Sequence, residues 1–166
     1  MRIMAALSLF ALLAVTVVAQ RGGGAAQNQP APSITETKVV TAAEVATLVA
    51  GTPKDRNGNA NFIRLAPYSV NMEHRIMSKG ASVHETEAEL FYVIDGAGTL
   101  VTGGKLTGEQ RTNPENLTGT GIEGGVSKRV AKGDWILVPA GAPHQYPAVE
   151  AAGLTLMSLH LPKKIQ

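Results

Sequence analysis

The sequence predicts an all-β domain, a sandwich or small barrel, with one short helix ahead of the strands. Two observations carry this. From Phe62 onward the chain breaks into short runs rich in β-branched and aromatic residues, FIRLA, YSVNMEHRIM, FYVID, GTLVT, WILVP and LTLMSLHL, separated by Gly, Pro or Asn. Many short strands with such punctuation favour a closed or two-layered all-β architecture. The second observation is length: 166 residues suffice for one domain with its own core and are too few for two of ordinary size.

The elements follow in chain order. The opening MRIMAALSLFALLAVTVVAQ has one early positive charge in Arg2, an uncharged apolar run and small residues near Ala19. That is the make-up of a secretory signal peptide over residues 1–19, and it predicts a periplasmic or secreted protein. A single membrane anchor is the competing reading. The run from Ile3 to Ala19 is at the short limit for a span and no Lys/Arg cluster follows it, which favours cleavage and leaves no stable membrane anchor. In residues 20–35 Gly, Ala, Gln and Pro replace any periodic pattern, as in a disordered linker. Residues 36–60 hold a short helix and a turn leading into the barrel. TAAEVATLVAG offers Thr41 as a cap with Glu44 three residues on, Val45, Leu48 and Val49 on one side, and Gly51 as the stop. PKDRNGNA, at 53–60, is turn-forming. The strands then occupy residues 61–162.

Composition narrows the chemistry. The chain has no Cys, which excludes disulfides, lipidation at a lipobox and any thiolate nucleophile or ligand, so a bound metal must use N and O ligands. Its 15 basic side chains, 14 once Arg2 is removed with the leader, stand against 13 acidic ones. With the basic residues scattered and aromatics few, there is no platform for nucleic acid.

Two stretches carry candidate chemistry. VHETEAELFYVIDGAG, residues 83–98, sets one histidine and three glutamates before an apolar run. Alone, it reads most simply as the wet end of a strand. If His84 to Glu89 were one extended strand, the odd offset would put the two side chains on opposite faces, so sharing an ion requires a turn at Glu85 to Ala88. Glu89, Phe91 and Val93 then face one way and Leu90, Tyr92 and Ile94 the other. Both faces are apolar, so the outer one needs cover from a second sheet or a partner subunit, and a homodimer would supply it. Glu85 and Glu87 are assigned to solvent. The second stretch, GDWILVPAGAPH from Gly133 to His144, is one buried strand, WILVP, ended by Pro139, and a turn through Gly141 and Pro143 that holds a histidine in a fixed direction.

Together the two stretches resemble the paired motifs of the cupin superfamily. Gly133, Pro139, Gly141 and His144 meet G-x5-P-x-G-x2-H in full, with Ala148 where the trailing Asn stands. Glu89 and Gly96 meet E-x6-G, with His84 five residues ahead of the Glu. In the fuller first motif Ser82 occupies the place of a customary histidine ligand and Ile76 that of the opening Gly. The resemblance spans Phe62 to Leu161 and implies a jelly-roll β-barrel, one cupin barrel domain over 61–162.

Imidazoles and a carboxylate converging inside such a barrel are costly unless a divalent cation compensates them. His84, Glu89 and His144 are the expected ligands, for a divalent ion that Fe, Mn, Zn or Ni would each satisfy. His74, which shares a strand face with Val70, Met72 and Ile76, is weighed both as a stand-in for the missing ligand and as a core histidine. Ser82 marks the vacant position. His160 reads as structural or exposed, and Phe91, Trp135 or Tyr92 as pocket lining. Residues 107–127 read as a loop insertion, either a flap over the mouth or a solvated excursion, and Asn116-Leu117-Thr118 fits a glycosylation sequon. Two functions follow from the resemblance: an enzyme acting on a small polar molecule, a sugar or organic acid, or a binding protein that holds such a small-molecule ligand without turnover.

Overall fold

The structure, a computed structural model, describes residues 37–65 and 68–162. The expected leader and linker lie outside the described residues. Among the described residues, no helix is long and apolar enough to cross a membrane.

The one helix, α1 (Ala42–Ala50), begins where its capping residues predict. Thr41 accepts from the Glu44 amide while the Glu44 carboxylate accepts from the Thr41 amide, so two donors of the first turn are satisfied reciprocally. Leu48 of α1 borders Ala60 and Met72, and Val45 and Val49 border Ile94.

Eleven strands follow: β1 (Gly58–Leu65), β2 (Tyr68–Arg75), β3 (Ala81–His84), β4 (Glu87–Thr102), β5 (Lys105–Thr107), β6 (Gln110–Asn113), β7 (Asn116–Gly119), β8 (Gly121–Glu123), β9 (Val126–Ala131), β10 (Trp135–Val138) and β11 (His144–Pro162). Nine form one antiparallel sheet, in which β1, β2, β11, β3, β7 and β6 are neighbours in that order and β4 pairs with β9, β10 and β11; β5 and β8 form a separate pair. The long strands β4 and β11 run together from Glu87↔Pro162 to Thr102↔His144.

That ribbon is bent in its middle. Gly96 has φ +77 and Gly153, beside it, φ +82. A Cβ on Gly96 would lie 2.0 Å from the Gly153 carbonyl oxygen, so only glycine permits the two backbones to approach this closely. The bend folds one half of the ribbon over the other. Phe91, Val93, Leu100, Val130, Val138, Tyr146, Leu154 and Leu156 pack between the halves as the core. Of the two faces expected for β4, the one carrying Glu89, Phe91 and Val93 is buried.

Three sequence expectations need correction. Residues 107–127 are not a loop insertion. They contain β6, β7 and β8, and β7 pairs along the whole of β3. Backbone pairing needs no apolar period, and every position of β6 is exposed, so the hydrophobic pattern was silent there. The turn before the barrel is shorter than expected, because β1 starts at Gly58, inside the stretch read as turn. Finally, β10 is not buried on both sides. Ile136 and Val138 turn inward, whereas Trp135 and Leu137 are 62% and 60% exposed. An unbroken apolar run carries no information on which of its residues face in.

Candidate metal centre

β3 ends at His84, residues 85 and 86 make the turn, and β4 begins at Glu87, so His84 and Glu89 reach one cavity despite their odd spacing. The expected turn is there, two residues shorter than drawn from the sequence. The second motif locks onto the first: the Gly141 amide donates to the His84 carbonyl at 2.7 Å, and Gly141, at φ +80, permits the bend that leads to His144. His144 stands opposite Ser82 across β3, while His160, near the other end of β11, stands opposite Glu89 across β4.

The Glu89 carboxylate, 3% exposed, is the meeting point. His84 Nε2 and His144 Nε2 lie 3.3 and 3.2 Å from its Oε2, and His160 Nε2 lies 3.3 Å from its Oε1. The ligand atoms of His84, Glu89 and His160 all lie within 4.8 Å of one another.

The far side of each ring faces oxygen. His84 Nδ1 donates to Asn116 Oδ1 at 2.5 Å, and His144 Nδ1 lies 3.3 Å from the Ala142 carbonyl oxygen. His160 Nδ1 is 3.0 Å from Glu87 Oε2, out of line for a hydrogen bond. A proton held on Nδ1 leaves the Nε2 lone pair aimed at Glu89, as in metal-ligating imidazoles. A lone pair facing a carboxylate is repulsive unless a proton or a cation sits between them. Burial pushes the Glu89 carboxyl up, but hydrogen bonds from His144, His160 and His84 outweigh it and hold it well below the carboxylate range. The bond to Glu89, working against burial, raises both His84 and His160. By its donor set and this arrangement, the cluster suits a divalent ion.

His160 is the ligand-type residue that sequence reasoning passed over. Its signal was present: Leu154, Leu156, Ser158 and His160 alternate onto the inner face of β11. Asn116, read as part of a sequon, is the other omission, and its side-chain amide is engaged with His84 and Asn113. His74 does not stand in for the missing ligand. On β2 the cavity-facing residues are Asn71, Glu73 and Arg75, and His74 points the opposite way, buried, with Nδ1 2.9 Å from Thr155 Oγ1. Burial, then Lys54, lowers its pKa. Ser82 lines the cavity, at the place where the customary histidine would sit. Phe91 lies beneath the cluster, its ring centroid 6.1 Å from that of His144, and is wholly buried in the core. Trp135 lines no part of the cavity. It packs on Tyr92 at 4.7 Å on the outer face. Glu85 faces solvent as expected and pairs with Arg111 at 2.7 Å, whereas Glu87 sits beside His160.

The cavity measures about 530 Å³. Its other wall comes from β1 and β2 and is polar. Asn61 Nδ2 donates to Asn71 Oδ1 at 2.7 Å, Arg75 NH2 donates to Glu73 Oε2 at 2.5 Å, and Ser158 Oγ donates to Glu73 Oε1 at 3.2 Å. A small polar molecule in this space would touch the cluster on one side and hydrogen-bonding groups on the other.

No protein-family model matches the sequence, and no curated protein matches it. Solved structures do. A protein with a double-stranded β-helix domain from Klebsiella pneumoniae is 12% identical with a TM-score of 0.53, covering 79% of this chain and 95% of its own. TT1209 from Thermus thermophilus is 14% identical with a TM-score of 0.54, covering 76% and 98%. A candidate mannose-6-phosphate isomerase from Ralstonia eutropha is 11% identical with a TM-score of 0.50, covering 76% and 99%. Likeness at such identity shows the fold alone: an antiparallel double-stranded β-helix, the jelly-roll barrel expected from the sequence.

Proposed function

From a cupin-type barrel whose cavity gathers three imidazoles around one buried carboxylate, we propose that this chain is an exported enzyme acting on a small polar molecule at a divalent metal ion. The ligands are His84, Glu89, His144 and His160, with His160 taking the role that Ser82 leaves vacant. The observation that carries this is the convergence of three Nε2 atoms on Glu89 while each Nδ1 faces an oxygen.

The number of ligands bears on the metal. Four protein ligands would close a tetrahedral zinc, whereas catalytic zinc keeps one position open. A six-coordinate ion keeps two positions free with the same four ligands, which favours Fe, Mn or Ni. Bound by these residues, such an ion would polarise a substrate oxygen. The chain does the rest. Glu89 offsets part of the ion's charge, Asn116 holds the His84 ring in orientation, Glu87 sets a negative charge beside His160, and the polar wall positions the substrate. The Ralstonia relative, named for a sugar-phosphate isomerase, supports small polar substrates of this kind. Export rests on the residue 1–19 leader, and an intact mass beginning at Gln20 would bear it out.

The test is elemental analysis of protein exported by its own leader and never exposed to chelator or nickel resin, followed by product detection by NMR on a panel of sugars and organic acids. About one equivalent of Fe, Mn or Ni, with turnover lost on stripping and restored on reloading, is the expected result. A metal-free protein that retains a bound sugar or acid unchanged would replace the enzyme by a binding protein.

A further inference from the structure

The proposed metal cluster occupies one wall of the cavity, and the strand register fixes what stands opposite. Arg64 on β1 pairs with Ser69 on β2. On β2 and β11, Val70 pairs with Leu159, which brings Ser69 level with His160, the partner of Glu89. Arg64 therefore lies on the same cross-strand row as the cluster, two strands away, or about 10 Å between backbones at roughly 4.8 Å per strand. Its side chain lines the cavity, and among the described residues no carboxylate pairs with it.

The next row down is Asn61, Asn71 and Ser158, level with one another across β1, β2 and β11. These are uncharged hydrogen-bonding groups about 7 Å deeper along the strands, at roughly 3.3 Å per residue. Charge points the same way. The cavity is lined by Arg64, Arg75 and Lys79 against Glu73 and Glu89, and Glu73 is already taken by Arg75. With a dication on the cluster, the field inside the cavity is strongly positive.

We propose that Arg64 is a substrate-anchoring residue, and that the substrate class is a small hydroxy- or oxo-carboxylic acid. Its carboxylate pairs with the Arg64 guanidinium in the two-pronged manner suited to that group. Its hydroxyl or oxo oxygen points to the metal, and further hydroxyls meet the Asn61, Asn71 and Ser158 row. A molecule of a few carbons bridges the gap. This assignment rests on the metal-centre reading of the same cavity.

The experiment is calorimetric titration of metal-loaded protein with lactate, malate and gluconate, each against its neutral counterpart, propane-1,2-diol, butane-1,2,4-triol and sorbitol. Metal content is measured on every sample. At least one acid is expected to bind about 10-fold or more tightly than its counterpart, the scale of a hydrogen-bonded charge pair. Arg64→Gln should remove most of that preference and Arg64→Lys keep part of it, with metal content unchanged in both. Arg64 is exposed, so neither change should disturb folding. No preference for any acid, a preference surviving in Arg64→Gln, or inorganic phosphate binding as tightly as the best acid would each overturn the assignment. The two readings fail separately. Wild-type protein that takes up no metal defeats the metal centre, while an acid preference that persists in such protein and vanishes in Arg64→Gln upholds the anchor.

Discussion

Each ring around Glu89 presents an unprotonated face to a carboxylate if its Nδ1 alone keeps a proton, as its oxygen neighbour invites, and a second proton or a metal cation relieves that repulsion. Ligands to one ion act jointly, so changing any one of His84, His144 and His160 to Ala should remove most bound metal while circular dichroism still shows a folded barrel. His74→Ala should do the opposite, keeping the metal and lowering the melting temperature, because a buried ring and its bond to Thr155 are lost at roughly 1–3 kcal/mol. Undiminished metal in His160→Ala would return that residue to a structural role. Asn116 acts at one remove. Asn116→Ala should weaken metal affinity about 10- to 100-fold, the usual effect of removing a partner that orients a ligating imidazole, and competition with a chelator would read it. His84, Glu89 and His144 were legible because turn chemistry and spacing mark them. His160 was misplaced and His74 was left open between ligand and core, because strand parity tells which residues share a face and not which face is the cavity.

Among the elements, the folded β4–β11 ribbon does most to build the site, since it brings His144 at one end of β11 and His160 near the other to the same carboxylate. Its hinge is the Gly96 and Gly153 contact. Gly96→Ala should therefore be severely destabilising. A positive φ alone costs an alanine roughly 1–3 kcal/mol, and the clash with the Gly153 carbonyl adds to it. Urea unfolding would show this as a lower midpoint, and a variant as stable as wild type would mean the ribbon does not need its close approach. Gly96 was visible in the sequence as a motif position, but its structural partner was not, because Gly153 pairs with it only through the long-range register. The helix was readable to the residue from Thr41 and Glu44, which act locally. β6 and β7 were unreadable for the converse reason: β7 is held by backbone pairing to β3, a non-local partner, β6 is held by pairing to β7, and neither carries an apolar alternation.

For the molecule as a whole, the site couples stability to pH in a way that metal should reverse. In metal-stripped protein the Glu89 pKa is lowered, so its contribution is present above the ordinary glutamate value of about 4.3 and is lost as pH falls through the folded value. The pKa values of His84 and His160 are raised, so their contribution is full below about 6.5 and is lost as pH rises through the folded values. The stripped protein should melt higher at about pH 6 than at about pH 8, whereas the loaded protein should gain on going to pH 8, since the ion requires neutral imidazoles. Melting curves at both pH values, with and without metal, check the sign. The overall barrel was the most legible feature of all, because strand punctuation and the second motif both specify it, while the composition of the centre required knowing how the ribbon folds back.

The central claim is that one ion is held by three imidazoles and one carboxylate, and X-ray absorption spectroscopy of metal-loaded protein tests it most directly. The expected spectrum shows multiple-scattering features of three histidine nitrogens and a first shell completed by oxygen, falling to two histidines for the residual metal that His160→Ala retains. A wild-type spectrum with two histidines, unchanged by that substitution, would contradict the assignment of His160, and one with none would contradict the metal centre itself.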